Sequence, residues 1–249
     1  MKLSNSILSG AVICCALCVL LSIAAVSLDQ YAYSRIDPYN WMALCQDNYH
    51  TMALWAFLLY DLLHLFVIAV FALVLAQAFS WEAWMGGGAL ILSTLADIGS
   101  VSVRIFFLLA GLRALALGQS PGLAAPEAGY DVISSTLDFA NASFGLVGTL
   151  FLGTAAIKAK GMSRIVGWFL IAGLPLCILQ FAEVGLRTPW TLFIDTWLTP
   201  LYEVIQQTLI GIALWEIICQ RREPDRPVQG EDAEGKRGTE GMPQRRGER

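Results

Sequence analysis

The stretch ALWAFLLYDLLHLFVIAVFALVLA, from Ala53 to Ala76, decides the fold. It exceeds the roughly 20 apolar residues that carry a helix across a bilayer, yet Asp61 and His64 sit in its middle. Five more runs share its character: Ile7–Leu28, Met85–Leu109, Ile133–Ala156, Ile165–Phe181 and Leu201–Cys219. Together they predict an all-α polytopic membrane bundle of six transmembrane helices over residues 1–220. The chain is 56% hydrophobic and only 14% charged, where soluble domains carry about 25% charged residues. Its mean hydropathy is +0.60.

The remaining segment, residues 221–249, holds eight of the sixteen Lys and Arg and seven of the twenty Asp and Glu. It has no aromatic residue, so it cannot bury enough apolar area to offset ordering, and it reads as a disordered charged tail. Its signs are too evenly mixed for a nucleic-acid-binding arm. Lys158, Lys160 and Arg164 fall between spans four and five, and Arg221 and Arg222 follow span six. Basic residues in short loops mark the cytoplasmic side. Both termini are therefore expected in the cytoplasm, with the chain in a bacterial inner membrane and membrane lipid as its constant partner. A signal peptide cleaved near Ala25-Val26-Ser27 competes for the first run, but that run is longer than the 7–15 apolar residues of a signal sequence.

The connections are expected to differ by side. Residues 29–50 carry Tyr and Trp, residues 113–130 carry Gly and Pro, and 184–200 read as a short interfacial helix. Gly86–Gly88, Gly145, Gly148 and Gly153 mark places where helices can approach closely. Gly173 and Pro175 predict a kink in span five. Of six cysteines, Cys15 and Cys18 form a C-x-x-C inside span one. With no second pair, they read as small apolar filler. Cys219 reads as an ordinary thiol, or second as a palmitoylation site.

From span two to span five the chain resembles an uncharacterised bacterial family of six-span membrane proteins carrying a domain of unknown function. The carriers are Asn141-Ala-Ser-Phe-Gly145-Leu with Gly148 and Gly153, then Ala159-Lys160-Gly-Met-Ser-Arg164-Ile-Val-Gly167, then Ala172-Gly173. Ser163 stands where that family tends to place Pro. The resemblance implies the six-span architecture and no particular activity.

Charged and polar residues inside the runs are costly in hydrocarbon and mark functional or register-setting positions. At about 1.5 Å of rise per residue, Asp61, His64, Asp97, Arg104, Asp138, Asn141, Glu183, Glu203 and Gln206 all fall in the outer half of their spans. Asp97, Ser100 and Arg104 share one helical stripe, and Asp61 with His64, Asp138 with Asn141, and Glu203 with Gln206 are each three apart. One economical arrangement is an outward-facing acidic cavity lined by five spans. The bland alternative is a set of structural ion pairs and hydrogen bonds, foremost Arg104 with Asp138. One Arg cannot balance Asp61, Asp97 and Asp138 together, and unbalanced carboxylates at low dielectric hold a proton or take a cation.

Enzyme signatures are missing from the sequence. There are two histidines, no H-E-x-x-H, no G-x-S-x-G and no phosphate-binding loop. No catalytic residue, metal ligand set or cofactor is therefore expected. Three functions remain. The first is a membrane protein binding or moving a cation, a proton or a small polar or amphipathic molecule. The second is a non-catalytic scaffold or accessory subunit for a membrane partner. The third is a lipid-acting enzyme using His64 and Asp61.

Overall fold

A computed structural model describes residues 3–36, 43–44, 46–78, 80–116, 124–185 and 197–222. The tail from residue 223 onward and most of the expected interfacial helix lie outside the described residues. The principal helices of the described residues follow in chain order: α1 (Asn5–Tyr33), α2 (Asn48–Ala76), α3 (Ser80–Ala116), α4 (Ala124–Ile157), α5 (Met162–Ala172), α6 (Leu174–Gly185) and α7 (Thr199–Arg222). Among the described residues, six helical stretches are long and apolar enough to cross a membrane, with α5 and α6 together making one of them.

Several helices run past the apolar lengths that predicted them. Residues 124–130, read as loop, form the first turns of α4. Pro126 is tolerated there because a first-turn N–H has no intrahelical acceptor in any case. At the other end of the chain, α7 takes in Arg221 and Arg222, two residues expected in the tail. Their cationic side chains suit the negative end of a helix dipole.

Each span packs on its neighbours in sequence, and α7 closes the ring against α1 and α5. Contacts between helix ends show the alternation of direction. At one end the Arg221 guanidinium donates to the Leu3 carbonyl at 2.7 Å, and Lys158 after α4 pairs with Glu82 at the start of α3. At the opposite end Arg35 pairs with Asp47 at 2.7 Å, and His50 Nδ1 meets Asp29 Oδ1 at 2.9 Å. Asp47 also caps α2, accepting from the backbone N–H groups of Tyr49 and His50. The basic residues 158, 160, 164, 221 and 222 thus gather at the first end.

Glycines set the closest helix contacts. A Cβ at Gly86 would collide with the backbone of Leu152, and one at Gly148 would lie 2.7 Å from the Leu90 backbone nitrogen. Both hold α3 against α4 at a distance no larger residue permits. Span five breaks at Gly173, as its Gly and Pro predict. Pro175 has no N–H to offer the carbonyl one turn back, so the ladder lapses and α6 begins anew. The Tyr202 ring of α7 fills the space beside Gly173 and stacks on Phe169 with centroids 4.8 Å apart.

The turn into α5 has its own lock. Gly161 takes φ +63°, a region that only glycine enters without strain. The Glu216 carboxylate of α7 occupies the space where a Cβ would sit. It accepts from the Met162 backbone N–H at 2.7 Å and from Gln220 Nε2 at 3.2 Å, capping α5 from a neighbouring helix. Glu216→Ala is expected to lower stability by about 1 kcal/mol, the size of a lost helix cap. Glu216→Gln should recover most of it, read as the unfolding midpoint in detergent.

Candidate functional site: two polar clusters in the apolar bundle

The expected polar residues divide into two groups. The first lies between α3 and α4. Asp138 accepts from Ser100 Oγ at 2.7 Å, with Ser134 Oγ at 3.4 Å and Arg104 Nη2 at 3.5 Å. One turn away, Ser93 Oγ donates to the Asn141 backbone carbonyl at 2.9 Å and also meets its side-chain oxygen. Arg104 and Asp138 are thus joined as their matching depths predict, but the shorter bond to Asp138 comes from Ser100. Serines on both helices spread the carboxylate's charge over several donors, so this cluster pins the register of α3 on α4.

The second group lies where α1, α2, α3 and α7 meet. Asp61 is only 3% exposed, although it is the residue that interrupts the apolar run of α2. Its carboxyl interacts electrostatically with those of Asp97 on α3 and Glu203 on α7. Its Oδ2 is buried with no hydrogen-bond partner among the described residues. The Tyr60 hydroxyl donates to Glu203, and Cys18 Sγ of α1 lies 3.8 Å from the Tyr60 carbonyl. One turn along α2, His64 stacks on Tyr60 with centroids 5.6 Å apart. Its Nδ1 is hydrogen-bonded to Gln207 Nε2 of α7.

Three helices therefore place carboxyls within electrostatic reach of the buried Asp61, while Asp97 and Glu203 are themselves half-buried. Among the described residues, no three His, Cys, Asp or Glu side chains converge as a metal-binding set.

The other expected residues fall less centrally. Gln206 is buried on α7, and Glu183 belongs to α6 with its side chain outside the described residues. Cys14, Cys15, Cys18, Cys177 and Cys219 are free thiols, and Cys219 is exposed. Sequence reasoning missed Tyr60, Ser93 and Ser134, and placed Gln207 with Glu203 and Gln206 in the outer third of span six without foreseeing its bond to His64. Ser134 had a readable signal, one helical turn before Asp138. Tyr60 had none, since an aromatic in an apolar run is ordinary. The paired ends Asp29–His50 and Arg35–Asp47 were also missed, because the partners lie across a connection. Comparison with known protein families, with curated proteins and with solved structures finds no match. The site therefore rests on this chain's own residues.

Proposed function

We propose that the chain is an integral membrane protein that binds or moves a proton, another cation or a small polar or amphipathic molecule at Asp61, Asp97 and Glu203. The observation that carries this reading is Asp61, buried in a membrane-length helix beside two further carboxyls. Such residues in hydrocarbon mark ion and proton paths. Exposed Leu20, Leu62, Phe66, Phe106, Trp168 and Trp215 around the bundle support lipid as its surroundings. Basic residues at one end support the reading of cytoplasmic termini, with a bacterial inner membrane as the proposed location.

The test is flux into sealed liposomes containing the purified protein, with internal dyes for protons, Na⁺ and K⁺. Asp61→Asn should abolish the flux, while Asp138→Asn, which alters the α3–α4 seam, should leave most of it. Flux no greater than in empty liposomes for every ion, or flux unchanged in Asp61→Asn, would sink the proposal.

A second reading is a scaffold or accessory subunit, favoured by the hydrogen bonds that tie Ser93 to Asn141 and Ser100 and Ser134 to Asp138. A stoichiometric partner purified from native membrane would support it. Lipid-acting catalysis is the weakest of the three, because His64 engages Gln207 and not Asp61.

A further inference from the structure

The turn between α4 and α5 carries more positive charge than its own contacts balance. It brings Lys158, Lys160 and Arg164 within one short stretch. Lys158 is paired with Glu82 at the start of α3. A second carboxylate beside this turn, Glu216 of α7, is occupied by the Met162 N–H and by Gln220. Lys160 and Arg164 are both exposed, and neither side chain has a hydrogen bond or ion pair among the described residues.

The surface that continues from these two cations is apolar. Trp168, one helical turn beyond Arg164 and 56% exposed, shares the outward side of α5 with exposed Ile165. Trp81 and Trp84 at the start of α3 are exposed as well, and the Trp81 ring meets Phe151 of α4 with centroids 5.5 Å apart. Exposed indoles sit at the headgroup level of a bilayer. With Trp168 at that level, Arg164 lies about 6 Å nearer the water along the helix axis, at the depth of the phosphates.

We propose that Lys160, Arg164 and Trp168 form a binding site for an anionic phospholipid, its phosphate at the two cations and its acyl chains along Ile165 and Trp168. A guanidinium offers paired donors that match phosphate oxygens, and the ammonium adds a point charge. Free phosphate would leave the apolar half of this surface unused, so lipid is the occupant that fits both halves. The competing occupant is the chain's own C-terminal segment. Residues 223–249 hold seven acidic residues but also six basic ones, so their net attraction to the patch is small. The proposal rests on the chain's place in a membrane and not on ion movement at Asp61.

Trp168 makes occupancy readable, since bromine on an acyl chain quenches tryptophan fluorescence. The full chain would be placed in phosphatidylcholine nanodiscs in which dibrominated phosphatidylglycerol or dibrominated phosphatidylcholine replaces the unbrominated lipid stepwise. The chain has eight Trp, so the signal of interest is the quenching lost in Trp168→Phe. Phosphatidylglycerol is expected to occupy the site about fivefold more tightly than phosphatidylcholine, the worth of one cation at an anionic surface. Lys160→Gln combined with Arg164→Gln, two changes at exposed positions, should bring the two lipids level. Soluble glycerol phosphate in excess should leave the quenching as it was. Equal quenching by the two lipids in the unaltered protein, as when residues 223–249 cover the cations, would overturn the proposal. So would a preference that survives the double substitution or that glycerol phosphate competes away. Absence of quenching by either lipid would remove the membrane reading and this site with it. Flux plays no part in the readout, so a bundle that moves no ion still tests the site.

Discussion

Replacing Gly86 by Val is expected to destabilise the bundle by about 3 kcal/mol, the upper end for overpacking a tight contact. The added Cβ would press on the backbone of Leu152, which cannot rotate aside as a side chain can. Relief requires α3 and α4 to separate, and that would stretch the nearby contact of Gly148 with Leu90 and the bond from Ser93 to Asn141. Gly88, two residues on, supplies the control. A Cβ there meets nothing within 4 Å, and Ala is the better helix former by about 0.5–1 kcal/mol. Gly88→Ala should therefore be neutral or stabilising. Unfolding in a detergent titration, monitored by tryptophan fluorescence, checks both. Equal midpoints for the two variants would show that α3 and α4 do not meet as described.

The second large effect concerns His64 and Gln207. Removing one partner leaves a polar group stranded in an apolar interior, so His64→Leu or Gln207→Leu should each cost about 1–3 kcal/mol. Removing both takes away the stranded group as well, and the double variant should be more stable than either loss added to the other. A double-mutant cycle reads this directly, and additive losses would show that the two side chains do not interact. The same cycle separates stability from transport. If His64 only positions Gln207 and the α2–α7 contact, the double variant should keep the flux that Asp61→Asn abolishes. A flux lost in the double variant would make His64 part of the path.

The division into two clusters bears on how each residue should behave. Asp138 sits among donors from α3 and from its own helix, the arrangement of a group that fixes register. Asp61 has Asp97 and Glu203 within electrostatic reach and retains an oxygen without a partner among the described residues, the features on which its proposed role rests. The two aspartates looked alike in sequence, each an acidic residue in an apolar run.

What this chain's sequence determined by itself is what depends on local chemistry. Apolar runs of membrane length require helices whatever surrounds them, because an unbonded backbone in hydrocarbon is too costly. Gly173 and Pro175 required a break in span five, since a proline removes a ladder bond wherever it stands. The depths of Arg104 and Asp138 followed from a constant rise per residue, and their meeting followed from consecutive spans being neighbours. Tertiary structure alone decided how each helix is turned about its axis and which distant helix it meets. Every span is apolar nearly all round, so periodicity gives little sign of which face looks inward. That is why Asp97 joins Asp61 and Glu203, while Ser100, one turn on, joins Asp138. It is also why Gln207 reaches His64: α7 closes the ring on α1, and that contact between the two ends of the chain is set by packing and not by any local signal.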